Sequence, residues 1–252
     1  MTFVLAATMF GSTPVEDGIR VSYEILENAS DSRELQGWAV RMVGTFLMLD
    51  GRFEEARQHL ADARAIFTEL GNNAALVGLT FSASPLELLA GDPVAAEREA
   101  RDGLEVARRI GDRGHLPNLA ALLADALVEQ GRLSDAQEYV DLARDTTQKS
   151  DPSAEALWRM AAARLLVRSG AAEDAVRLAQ EAMDILRPTQ ETLTLSTLLL
   201  DGAEVLRLAG RHEDEAVVLR EAIRVSEQKG ATVLVRRAEE RLSRLAPSPG
   251  LS

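Results

Sequence analysis

Cysteine is absent from these 252 residues, which excludes a disulfide framework, a thiolate metal site and a thiol nucleophile. Aromatic side chains make up only 4% of the chain, and no Asn-Gly or Asp-Gly pair separates alternating apolar runs, so a hairpin-based sheet is not expected. Lysine occurs twice, at Lys149 and Lys229, and no GxxxxGK[ST] run exists, which leaves no nucleotide-cradling phosphate loop. With so few lysines among 28 basic residues, the codon bias points to a GC-rich bacterial genome. The net charge is −12 and no segment is strongly basic, which argues against a direct nucleic-acid partner, because phosphate binding needs a basic face. The apolar opening MTFVLAATMF is ten residues long without a basic start, whereas a bilayer span needs roughly 20 apolar residues. No membrane partner and a cytoplasmic location are therefore expected.

What the sequence does have is an internal period. Glycines 51, 91, 131, 170 and 210 each open a similar phrase, as in GRFEEARQHLADA and GRLSDAQEYVDLA, at spacings of 40, 40, 39 and 40. Twelve residues after each glycine stands a small residue: Ala63, Gly103, Ala143, Ala182 or Ala222. Five residues after it stands Ala56, Ala96, Ala136 or Ala175, with Glu215 as the exception. Glycine allows a left-handed helix end, acids then favour the next helix start, and small residues seven apart let two helices approach. A Glu at the small position should tilt its helix or reach out to solvent, leaving Glu215→Ala neutral or stabilising. Pro85 falls inside a helical stretch and should kink it.

The expected fold is all-α: a right-handed α-solenoid of antiparallel two-helix units with about 13 helices. One domain spans 1–246, with units near 1–30, 31–71, 72–111, 112–151, 152–189 and 190–230, a capping helix at 231–245 and a disordered tail at 247–252. The final helix carries Arg236, Arg237, Glu239, Glu240, Arg241 and Arg244, a polar outer face of the kind that ends a solenoid. The first stretch, Met1 to Phe10, has no such face. It suggests a piece of a longer array, or a homodimer through the N-terminal helices.

The turn phrases resemble the tetratricopeptide repeat, with a unit of about 40 residues in place of 34. The runs GDRGHLPNLAALLADALVEQGRLSDAQEYV, EALWRMAAARLLVRSG and DGAEVLRLAGRHEDEAVVLREAI more closely resemble the C-terminal repeats of actinobacterial adenylate/guanylate cyclase-type and ATPase-containing transcriptional regulators. That resemblance implies a regulatory module of a signalling protein. It carries over no enzymatic activity, because neither a cyclase domain nor a phosphate loop is present.

No constellation for catalysis, metal or cofactor binding emerges. His59, His115 and His212 lie far apart, near turns or helix ends, without an HxxxH spacing. Binding is the remaining chemistry, and in two-helix solenoids the first helix of each unit lines the concave face. The residue six before each turn glycine should point inward: Thr45, Pro85, Asp125, Arg164 and Glu204. Arg168 and Arg207 stand nearby, and Trp38, Arg41, Phe81 and Asn118 lie further up the same faces. Trp158, on the opposite flank of its helix, is expected in the core. Two readings fit the acid–base–acid order of Asp125, Arg164 and Glu204: an ion-pair ladder that fixes stacking register, or a site for a protein or peptide in the groove. A small molecule held inside the superhelix is the alternative ligand.

Overall fold

The protein, described here from a computed structural model over residues 11–29 and 31–245, is helical with no strand among the described residues. The short helix expected over 2–10, the dimer surface placed on it and the tail at 247–252 lie outside them. Twelve helices follow in order: α1 (Val15–Asn28), α2 (Arg33–Leu49), α3 (Phe53–Glu69), α4 (Asn73–Ala90), α5 (Pro93–Ile110), α6 (Leu116–Glu129), α7 (Leu133–Thr146), α8 (Pro152–Arg168), α9 (Ala172–Leu186), α10 (Thr192–Leu208), α11 (His212–Lys229) and α12 (Thr232–Leu245). Helices α2 to α11 pack as five consecutive pairs, the α-solenoid of tetratricopeptide-like units that the period demands.

The turns between paired helices are five copies of one device. Gly51, Gly91, Gly131, Gly170 and Gly210 all adopt positive φ, between 73° and 88°. In each turn the next residue's N–H returns to the carbonyl five residues back, from Arg52 N to Leu47 O at 2.9 Å through Arg211 N to Leu206 O at 2.9 Å. This left-handed closure satisfies the carbonyls that a helix end would strand. Helix starts are equally local: Asp92 and Asp151 accept from the N–H of Ala95 and Ala154, each ahead of a proline that needs no acceptor. Helix α4 continues unbroken through Pro85. It is long and apolar enough to cross a membrane by composition alone, but it packs inside the stack as a core helix.

The small residues stand where helices touch. Ala56, Ala96, Ala136, Ala175, Ala63, Ala143, Ala182 and Ala222 are wholly buried. At Gly103 an added Cβ would meet Thr80 Oγ1 at 2.1 Å, which fixes how closely α5 lies on α4. Ala136→Leu should therefore lower stability by about 1–3 kcal/mol through overpacking, read as a shift in the urea midpoint. An unchanged midpoint would mean that α7 does not meet its neighbours at Ala136.

The final helix keeps the outward polar face expected of a cap at Arg236, Glu239, Glu240 and Arg244, all exposed, but Arg237 and Arg241 turn inward. The stack curves until its last helices reach its first, and α12 seals the join. Lys229 Nζ donates to Gly11 O at 2.7 Å and lies 5.3 Å from the centre of the Phe46 ring. The Arg237 guanidinium donates to Leu89 O at the end of α4, where the helix dipole favours a cation. Thr232 Oγ1 lies 3.4 Å from Asp50 Oδ1, just past α2. One continuous apolar cluster includes Val15, Phe46 and Leu79 from the first units with Leu206, Val225 and Leu234 from the last.

Glu215 overturns its own expectation as well. It is 1% exposed, with its carboxylate 3.3 Å from Arg241 Nη2 and 3.5 Å from His212 Nδ1. The departure from small residues at this position is explained by Arg241, which α12 brings over α11 and which needs an acid beneath it. Glu215→Ala should cost about 1–3 kcal/mol, because it removes the nearer acid from a largely buried guanidinium. A neutral result by thermal melting would mean that Arg241 finds water instead.

Candidate functional site

The curved stack of helices lines a cavity of about 920 Å³ that is open to solvent. Its wall comes from α2, α4, α6, α8, α10 and α12 together with turn residues ahead of some of them: the first helix of each unit faces inward. One side is apolar, built from Phe81, Pro85, Leu88 and Leu89 of α4 with Met48 and Leu49 of α2. The charged groups of the wall are Asp125 and Glu129 of α6, Arg164 of α8, Asp201 and Glu204 of α10, and Arg241 and Arg237 of α12, the last reaching Leu89 on the apolar side.

Arg164 is the centre of the charged side. It is 6% exposed and meets three carboxylates: Asp125 at 2.7 Å, Glu129 at 2.5 Å and Asp201 at 3.8 Å. Burial opposes its charge, but the three acids more than offset that and hold the guanidinium protonated. One cation cannot neutralise three anions, so the excess appears on the acids. Burial, helped by Asp201 and Glu129 and countered by Arg164, pushes the Asp125 carboxyl up to about 7. Asp201 is raised as well, again chiefly by burial. The ladder read from the sequence thus exists with one rung moved. Arg164 reaches Asp201 and not Glu204, one turn further along α10. Glu204 is claimed instead by Arg207 at 3.1 Å, Arg168 at 3.5 Å and Arg241 at 3.9 Å.

Several buried polar atoms in this wall lack a hydrogen-bond partner: Asn118 Oδ1, Asp125 Oδ1, Arg164 Nε and Arg241 Nε. Asp125 Oδ1 touches Arg164 as an ion pair without the alignment of a hydrogen bond. Orphaned polar atoms are rare in folded interiors and costly unless something satisfies them.

Of the residues singled out from sequence, Phe81, Asn118, Asp125, Arg164 and Glu204 line the cavity, as does Pro85. Arg168 sits at the edge, bridging Glu129 and Glu204, and Arg207 is exposed beyond it. Thr45, Trp38 and Arg41 do not line it. Thr45 is buried and donates to the Arg41 carbonyl. Trp38 stacks on Phe67 at 5.1 Å and under Arg41 at 5.4 Å. Arg41 is 4% exposed, with Ser82 Oγ at 3.4 Å, and burial alone lowers its guanidinium to about 10. These three share the inward register but are covered by α4, whose Gly78 lets Arg41 Nη1 approach to 3.0 Å of a Cβ position. Trp158 is half-buried and packs against the core cluster around Ala161 and Ala162, with Arg159 over its ring at 4.4 Å and Glu155 accepting from its Nε1 at 3.1 Å. Sequence reasoning missed Asp201, Glu129, Arg237 and Arg241. The first two stand one turn from the chosen register, and the last two were assigned to an outer face.

Neither a protein-family model nor a curated protein matches the chain. Solved structures do. BtubC (BKLC) from P. vanneervenii superposes with a TM-score of 0.59 at 17% identity, over 95% of this chain and 96% of that one. NprR in complex with its cognate peptide NprX superposes with a TM-score of 0.69 at 12% identity, over 91% of this chain and 68% of that one. At such identities the likeness concerns the fold, and it places this chain among tetratricopeptide-like helical-repeat folds.

Proposed function

We propose that this chain is a non-catalytic binding scaffold that takes a short peptide into its central cavity, as a sensory module of a bacterial signalling or transcriptional regulator in the cytoplasm. The observation that carries the reading is the cavity itself. Every first helix contributes to it, its wall is mainly apolar, and orphaned donors and acceptors converge on one side. A peptide offers what such a wall lacks: alternating N–H and C=O groups with apolar side chains between them. NprR, which shares the fold, is seen with a peptide bound. The regulator context rests on the sequence resemblance.

A small molecule is the second reading, favoured by volume, since about 920 Å³ lies within the range of enclosed small-molecule pockets. Thermal-shift titration with pools of blocked hexa- to octapeptides, run beside a pool of metabolites, separates the two. Saturable stabilisation by a peptide supports the first reading. A shift confined to the metabolite pool replaces it with the second.

A further inference from the structure

We infer that the ligand of the central cavity bears a cationic group, an amine or guanidinium, that seats between Asp125 and Asp201 with its apolar body against the α4 side. This rests on the reading of the cavity as a ligand site and names the chemistry of what fills it.

Three observations lead there. Six of the cavity's lining residues are carboxylates and four are arginines, so an added cation improves the balance that an added anion would worsen. The imbalance is local: Asp125, Glu129 and Asp201 all turn to Arg164, and Arg168 is shared between Glu129 and Glu204. Of the other lining arginines, Arg241 is engaged with Glu215, Glu204 and the Leu200 carbonyl and Arg237 with the Leu89 carbonyl, while Arg244 is exposed. Second, the two unsatisfied acceptors among the lining residues, Asn118 Oδ1 and Asp125 Oδ1, lie on α6, while the two unsatisfied donors, Arg164 Nε and Arg241 Nε, belong to guanidiniums already paired with acids. Asp201 is about one-third exposed toward the space and reaches only Arg164, at 3.8 Å, among the described residues. A donor-rich cation is the group that the two aspartates accommodate. Third, the opposite wall of Phe81, Pro85 and Leu88 offers no charge, so the guest is amphiphilic.

The cluster already holds part of a proton near neutrality, because burial pushes the Asp125 carboxyl up to about 7. The guest's charge takes the place of that proton. Binding therefore releases a proton and strengthens as pH rises. The groups facing the pair are Asn118 and Glu129 on α6, Arg164 on α8, Glu204 on α10, and Arg237 and Arg241 on α12. His115, the one histidine lining the cavity, stands at the start of α6 with its ring tilted against Phe81 at 5.5 Å.

The test uses three blocked, leucine-rich heptapeptides that differ only in a central arginine, glutamine or glutamate, titrated calorimetrically into the full chain. The arginine peptide should bind about tenfold or more tightly than the other two, and its affinity should fall roughly tenfold between pH 8 and pH 6, as one displaced proton requires. Asp201→Asn should abolish the preference without moving the melting temperature, and His115→Gln should leave the pH series intact. If Asp201→Asn melts early, Asp125→Asn is read instead. Equal affinity for all three peptides overturns the cation while leaving the cavity as a peptide site. Binding of decylamine ahead of decanol, with no peptide bound, upholds the cation and removes the peptide. If no probe binds, both readings fall.

Discussion

Arg164→Ala should lower the free energy of unfolding by about 3–5 kcal/mol, the cost of breaking a buried ion pair by removing one partner. The figure belongs to the upper end because the arginine is shared. Its loss leaves Asp125 and Asp201 without their ion-pair partner and Glu129 with Arg168 alone. Asp125→Ala should cost less, since Arg164 keeps two acids. The double mutant should be sub-additive, because the second truncation removes an interaction that the first has already broken. The pH dependence separates lost charge from lost packing. Without Arg164 the acids bind protons more readily in the folded state than in the unfolded one, so the folded state gains as pH falls. The deficit of the variant should shrink between pH 8 and pH 5, whereas a cavity cost would be the same at both. A deficit independent of pH, with strictly additive mutants, would show that these four side chains do not form one electrostatic unit.

Phe46→Ala should be comparably severe, at about 3–5 kcal/mol. Phe46 is wholly buried on α2. Its ring tip fills the notch left by Gly18 on α1, 2.2 Å from where a Cβ would stand, and its face carries the ammonium of Lys229 from α11. The truncation thus loosens the first helices from each other and the join between the two ends of the stack. Burial has already pushed the Lys229 ammonium down to about 8, so the lysine cannot follow the vanished ring inward without deeper loss of solvation. Chemical denaturation of the variant is the measurement. A loss below about 1 kcal/mol would mean that water or a neighbouring side chain refills the site.

Helix ends, pairing and the inward-facing register were legible because each is a local consequence of a local signal. A glycine at positive φ, a small residue where two helices cross and an acid in a first turn recur every unit and need no knowledge of distant parts. The closed ring was not legible. A period of about 40 residues determines how one unit leans on the next, but small angular increments accumulate over five pairs before α12 can meet α2 and α4. Those increments depend on particular fits, such as Thr80 under Gly103 and Met183 under Gly202. For the same reason Glu215 read as an anomaly: its partner Arg241 belongs to the one helix whose surroundings the repeat does not dictate. Asp201 was passed over for Glu204 because a strict count back from the turn ignores the reach of an arginine, which can select an acid one helical turn away.

An open helical-repeat array touches only nearest neighbours, so its outer units fray and exchange their amide hydrogens long before the middle ones. Here Phe46, Val15 and Leu234 belong to one apolar cluster, and no unit is only an end. Opening α1 exposes the flank of α11, and lifting α12 uncovers the ends of α2 and α4. The molecule therefore behaves less as a zip than as a barrel held by a hoop, in which slackening any stave slackens all. Amide exchange in α2 and in α11 should rise together with denaturant along a single slope, in step with α6 and α7 on the far side of the ring.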